Sequence, residues 1–234
     1  MTAARSVARS TSSFKPRRRR MSESRRADLA RWMEQWGLGA TGPELDWGAV
    51  LGTGTTPEVP PSVILDIGFG HGESVLDLAR RRPDLSVVGI EVHTPGVATV
   101  LDAVAREALP NVRVVHGDAL AFLDRIPADS LSEVRAFFPD PWPKERQHHR
   151  RLVRPDVVAA FTDRLRAGGT FRLATDVEEY ATSMGRACGA EPRLRGGTID
   201  RVDDKAGDRP VTRFEQRAIS EGRAVTDLRF ERSG

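Results

Sequence analysis

Leu29, Trp32, Met33 and Trp36 fall at i, i+3, i+4 and i+7 with Gly37 behind them, a spacing that predicts an amphipathic helix over 23–36 packed on the main domain. Repeated Gly, Thr and Pro residues between Gly37 and Pro61 carry no period and read as a linker. From Val63 onward, short apolar runs alternate with helical periods. Strands are predicted over 63–67, 86–90, 112–116, 134–138 and 170–174, with helices over 73–82, 94–108, 155–166 and 177–187. Pro83 stops the first of these helices, Pro155 suits the first turn of the third, and Gly168-Gly169 suits its end. Residues 196–210 read as a polar, Gly/Asp-rich, mobile insertion, 212–221 as a helix and 224–231 as a last strand. Such alternation predicts an α/β fold whose parallel sheet is covered on both faces, with ligands at the carboxyl ends of the strands. The chain divides into an arm over 1–22, helix and linker over 23–61, and a domain over 62–234.

With 234 residues, 39% of them hydrophobic, there is enough chain for one sizeable core and a terminal extension. Cys188 is the single cysteine, so no internal disulfide forms, and no CxxC pair or His/Cys cluster has zinc spacing. A metal-free cytoplasmic protein is expected. No apolar run approaches the roughly 20 residues that span a bilayer. The net charge of +3 hides an asymmetry: residues 1–26 hold nine Arg or Lys and one Glu, which leaves −5 on the remainder. A Ser/Arg-rich, nearly acid-free arm fits phosphate binding, disordered until nucleic acid meets it. A transit peptide has similar composition, but residues 2–13 lack amphipathic periodicity.

Phe137-Phe-Pro-Asp-Pro-Trp-Pro-Lys144 places Asp140 between two prolines directly after an apolar run, a rigid loop built to hold one acid. Lys144 to Arg151 set cations beside that acid and Trp142, a combination suited to a nucleic-acid base. Gly68, Gly70 and Gly72 stand where the first strand of the domain hands over to its helix, so the backbone there turns sharply and approaches a ligand closely. Glu73 at the helix start would repel a pyrophosphate, which disfavours NAD and suits a cofactor with an ammonium and a sulfonium, such as S-adenosylmethionine. Glu91, at the next strand end, can accept from both ribose hydroxyls and Asp118, at the one after, from an adenine amino group. Taken singly, each is equally a surface acid. Asp66, Glu91, Asp118 and Asp140 at four successive strand ends together ask for a cationic or hydroxyl-rich partner.

These residues resemble the tRNA (guanine-N7)-methyltransferase family over about 13–232. The resemblance rests on residues 66–72 and 89–93, on Phe-Pro-Asp-Pro-Trp-Pro-Lys at 138–144 with His148, His149, Arg150 and Arg151, on Ala-Thr-Asp at 174–176 with Tyr180, and on Thr-Arg-Phe-Glu at 212–215 followed by Gly222 and 227–232. It implies a Rossmann-like class I methyltransferase fold with a mainly parallel seven-stranded sheet and helices on both faces. The implied activity is methyl transfer from S-adenosylmethionine to N7 of guanine 46 in the variable loop of tRNA. Asp66, Gly68, Glu91, Asp118 and Asp140 become cofactor-site residues, with Asp140 also catalytic, while Lys144, Asp176, Thr212, Arg213, Phe214 and Glu215 contact substrate. The family usually has Glu where this chain has Asp66, and often a basic residue where it has Glu145.

Guanine N7 carries an in-plane lone pair, so its methylation needs no general base. Alignment of the reacting atoms and a carboxylate beside the cationic product suffice, with Asp140 the candidate carboxylate. Asp176 and Glu215 can accept from guanine N1–H and N2–H₂, donors adenine lacks there. Lys144, Arg146, Arg150 and Arg151 are expected on tRNA phosphates, and Phe214 either stacks on the base or belongs to the core. Competing readings are a methyltransferase of another substrate, a non-catalytic tRNA-binding protein, and an NAD-dependent oxidoreductase. Monomer and homodimer both stay open.

Overall fold

The computed structural model describes residues 21–51, 61–199 and 209–234. In chain order the elements are α1 (Glu23–Trp36), β1 (Gly37–Leu38), α2 (Trp47–Leu51), β2 (Val63–Ile67), α3 (Glu73–Arg81), β3 (Ser86–Glu91), α4 (Thr94–Glu107), β4 (Val112–His116) and α5 (Ala119–Phe122). They continue with β5 (Leu131–Phe137), α6 (Pro155–Thr162), β6 (Leu165–Thr175), α7 (Glu178–Gly189), β7 (Leu194–Ile199), α8 (Arg213–Ser220) and β8 (Thr226–Arg232). Short 3-10 helices occupy Leu123–Arg125 and Glu145–Arg150.

One eight-stranded sheet runs in the order β1-β4-β3-β2-β5-β6-β8-β7. All neighbours are parallel except β8, which runs antiparallel to both β6 and β7. Two strands join the six predicted along the sequence, which makes eight where the resemblance implies seven; one is β1, a two-residue edge pairing with Val114 and Val115 of β4. β7 is the other addition: its six residues overlap the start of the stretch expected to be a mobile insertion, whose residues 200–208 lie outside those described, as do arm residues 1–20. Gly168 and Gly169 do not end a helix but lie inside β6, on the stretch where the β5–β6 register shifts.

Strand alternation sorts the core onto two faces. Leu65, Val134, Leu173 and Leu228 pack one face against Val157 and Phe161 of α6 and Tyr180 and Met184 of α7. On the other, Ile64, Val87, Val112 and Val114 meet Val75 and Leu78 of α3 and Val97 and Leu101 of α4, with Leu29, Trp32, Met33 and Trp36 of α1 against that cluster. The helix at 23–36 and its docking therefore match the sequence expectation, although none of its residues is fully buried.

The connection that sets α3 at the correct height is closed by buried Asn111, whose Nδ2 donates to the carbonyls of Leu85, Ala79 and Arg82 at 3.0, 3.2 and 3.3 Å. Asn111→Ala leaves those carbonyls without a side-chain donor. Urea denaturation should register a loss of about 1–3 kcal/mol, and an unchanged midpoint would remove Asn111 from this role.

Candidate active site at the carboxyl rim of the sheet

The sheet order reverses between β2 and β5, and the acids expected from the sequence gather along the carboxyl ends of the strands beside that point. Asp66 lies one residue before the end of β2 and is 2% exposed. Burial pushes its carboxyl up to about 6; the Arg135 charge and the Ser74 hydroxyl pull down, while Glu133 and Glu91 add to the rise. Its Oδ2 is buried without a hydrogen-bond partner.

After β2 the chain turns through Gly68, Gly70 and Gly72, all at positive φ, 72°, 59° and 88°. The Gly68 N–H donates to Ile90 O at 2.7 Å, and a Cβ placed on Gly68 would meet nothing within 4 Å. That open space beside a turn of glycines is room for a ligand. Glu91, at the end of β3, accepts from the N–H groups of Gly70 at 2.8 Å through Oε2, and of Val92 and His93 at 2.7 and 2.8 Å through Oε1. Three of roughly four acceptor positions are thus engaged. Asp118 follows β4, and its Oδ1 caps α5 through Leu120 N at 2.9 Å, which leaves Oδ2 for another donor.

Asp140 is half-buried in the loop after β5, between two non-glycine residues in the left-handed region, Phe138 at φ 54° and Trp142 at φ 43°. Phe138 N donates to Ala174 O at 2.8 Å. The Arg151 Nε donates to Pro141 O at 2.9 Å, its guanidinium forks onto Glu179, and its plane lies 4.7 Å from the Tyr180 ring centroid. Arg151 is 2% exposed, so the expectation of a phosphate contact there gives way to an internal clamp on the Asp140 loop. Arg150 lies 5.0 Å over the buried Trp142 ring, and Lys144 and Arg146 are exposed. Burial holds the Tyr180 phenol up at about 12, and the Asp140 charge adds to that shift.

Asp176 follows β6 and pairs through Oδ2 with Arg223 at 2.9 Å. Thr212 caps α8 by accepting from Glu215 N at 3.3 Å. Arg213 is exposed and reaches Glu73 of α3 at 3.3 Å. Phe214 is half exposed, its ring 3.6 Å from where a Cβ on Gly70 would stand, so it overhangs the glycine turn rather than joining the core. Glu215 is 1% exposed and bound to Arg209, which also forks onto Asp227. The carboxylate expected to read guanine is buried and held by that arginine.

A family model described as "Putative methyltransferase" matches residues 60–228. The tRNA (guanine-N(7)-)-methyltransferase of Streptomyces avermitilis is 39% identical over 94% of this chain and 74% of its own length. The chain belongs to the tRNA (guanine-N7)-methyltransferase family. The Paraburkholderia xenovorans relative of the same name is 42% identical over 81% of this chain and 70% of its own. Among solved structures, a 30S ribosomal A1408 methyltransferase from an uncultured bacterium superposes with TM-score 0.53 at 14% identity, covering 82% of this chain and 98% of that one. That likeness concerns the fold, the Rossmann-like arrangement of class I methyltransferases.

For a member of this family the rim fits S-adenosylmethionine: a glycine turn under open space, and a buried carboxylate oxygen with no donor. No group of His, Cys, Asp or Glu among the described residues is arranged to hold a metal ion. Sequence reasoning missed Arg209, whose guanidinium lies 5.0 and 5.3 Å over the rings of Phe137 and Phe138 while pairing with Glu215 and Asp227. Two acids in otherwise apolar packing positions were the available signal, since buried carboxylates demand a cation.

Gly96 in α4 touches the turn so closely that a Cβ there would lie 2.0 Å from Gly70 O. Gly96→Ala should cost about 1–3 kcal/mol in thermal or urea unfolding and weaken S-adenosylhomocysteine binding, measured by calorimetry; unchanged binding would show that the turn does not support the ligand. A second expectation concerns Asp66. Its folded carboxyl titrates near 6 and its unfolded one near 3.8, so the folded state holds the extra proton between these values. That contribution falls as pH rises through this window and stays lost above it. Asp66→Asn should therefore gain stability over wild type with rising pH, by at most about 3 kcal/mol above pH 7, in urea titrations from pH 4 to 8. A difference flat with pH would contradict the assignment.

Proposed function

We propose that the protein transfers a methyl group from S-adenosylmethionine to N7 of guanine 46 in the variable loop of tRNA. The observation that carries this reading is the half-buried Asp140, held by a doubly left-handed proline loop at the carboxyl rim of a chain whose relatives bear the name tRNA (guanine-N(7)-)-methyltransferase. Asp66, the turn at Gly68, Glu91 through its remaining lone pair, Asp118 through Oδ2, and Asp140 would hold the cofactor. When bound, that cofactor supplies an electrophilic methyl group on sulfur.

Asp140 needs to remove no proton, because the N7 lone pair is free. Its carboxylate stands to stabilise the positive charge that appears on the base, and the rigid loop keeps it in place before the base arrives. Asp176 keeps Oδ1 beyond its pair with Arg223 and can accept from guanine N1–H or N2–H₂. Glu215 acts at one remove, through the cap and ion pair that seat α8 and set Phe214 over the glycine turn. Thr212 shares that work, and Arg213 faces solvent beside Glu73. Exposed Lys144 and Arg146, with the arginines that precede α1 in sequence, supply phosphate contacts.

Methyl transfer from labelled S-adenosylmethionine to unmodified tRNA tests this. Asp140→Asn should lower kcat by about 10²–10³ with tRNA affinity within a few-fold of wild type, and tRNA with adenine at position 46 should accept no label. Cofactor binding without any tRNA methylation would instead favour a different substrate or a non-catalytic role.

A further inference from the structure

Asp66 of β2 stands directly opposite Arg135 of β5 in the parallel register, and pleating sends both side chains to the same face. Both are buried, at 2% and 4% exposure. Arg135 donates from Nε to Glu133, whose Oε2 accepts from Thr170 Oγ1 at 3.1 Å. One nitrogen of the guanidinium, Nη1, is left buried with no hydrogen-bond partner, and so is Asp66 Oδ2. Opposite charges on neighbouring strands thus flank the point where the sheet order reverses, each with a polar atom in reserve, without bonding to one another.

We propose that Arg135 is a positioning residue for the cofactor: it keeps Asp66 ionised inside the crevice so that the carboxylate can meet the α-ammonium of S-adenosylmethionine. This rests on the reading of Asp66 as a cofactor ligand. A protonated Asp66 would present a neutral acid to the ammonium and lose the charge pairing.

The groups that face Asp66 are few. From β5 come Arg135 and Glu133, from β3 Glu91 and from α3 Ser74; Arg135 and Ser74 favour the carboxylate, while burial, Glu133 and Glu91 favour the acid. Arg135 is the largest of the influences that keep the charge. Without it, a larger share of Asp66 is expected as the neutral acid at physiological pH.

The full chain, labelled with ¹³C at Asp carboxyls and free of cofactor, can be titrated by NMR, with the Asp66 signal assigned by its loss in Asp66→Asn. Arg135→Met should raise the Asp66 midpoint by about one pH unit or more, and Arg135→Lys should restore most of it. Glu133→Gln, which removes a like charge and keeps an oxygen to accept from Arg135 Nε, should lower the midpoint. Calorimetry with S-adenosylhomocysteine, which carries the same ammonium, supplies the second readout. Wild-type affinity should decline below about pH 6, by up to ten-fold per pH unit, and in Arg135→Met the decline should begin about one pH unit higher or more, with near wild-type affinity regained at pH 8.5. A midpoint that moves in none of the variants overturns the proposal. If the midpoint moves but Asp66→Asn leaves the affinity and its pH profile unchanged, Arg135 still controls Asp66, and the cofactor-ligand reading is what fails.

Discussion

The N–H groups of Gly70, Val92 and His93 converge on the single carboxylate of Glu91, and the cofactor side of the rim depends on that convergence. A turn tight enough to pass through three positive-φ glycines leaves backbone donors inside a partly buried space, where an unmet N–H costs as much as a lost hydrogen bond. An ionised acceptor meets them at about twice the strength of a neutral one. The turn is thereby fixed to the end of β3, its Gly70 carbonyl is pressed against Gly96, and α4 can seat only because residue 96 has no Cβ. The ligand space above Gly68 is a consequence of this closure.

The substrate side is held differently, by arginines used as internal struts. Arg151 and Arg209 are 2% and 3% exposed, and each meets both carboxylate and aromatic face. Only a planar, forked cation can do both at once; a lysine in either place would keep the charge and lose the stacking and the second hydrogen bond. The left-handed backbone at Phe138 and Trp142 costs about 1–2 kcal/mol per residue and persists because the surroundings over-determine it. Arg151 grips Pro141 from one side and Arg209 covers Phe138 from the other, with Asp140 between them. Removing the charge of Glu215 would therefore reach the Asp140 loop through Arg209 and the Phe138 ring it covers.

Much of the fold was legible because β2, β3 and β4 are largely apolar runs of five or six residues, and buried parallel strands read that way. β1 was not, since two residues carry no period, and β7 was not, since Gly196 and Gly197 in an edge strand look like an insertion. The four strand-end acids were legible as a set because the chain alternation puts their positions on one rim. What each carboxylate was already bound to was invisible: Glu215 meets Arg209 from a stretch read as insertion, Asp176 meets Arg223, and Glu91 is largely engaged by backbone. Such partners are set by tertiary placement, which neither spacing nor composition encodes. For the same reason, the run from Lys144 to Arg151 looked like one cationic strip broken by Glu145 and Gln147, whereas folding turns its last arginine inward.

Asp66 occupies the place where one face of the sheet changes character. Toward β4 the row continues through Gly89 to Val114, an aliphatic surface under α3 and α4; toward β8 it continues through Arg135 and Arg172 to Arg229. An acid set into the aliphatic side would take up a proton, because nothing there offsets the cost of burying its charge. Among the arginines it would be consumed in ion pairs, as Glu133 is by Arg135. At the boundary between β2 and β5, a carboxylate can stay close to ionisation and still keep one oxygen without a partner. That same boundary is where the strand order reverses and a crevice opens, so the chemistry of the row and the topology of the sheet select the same residue.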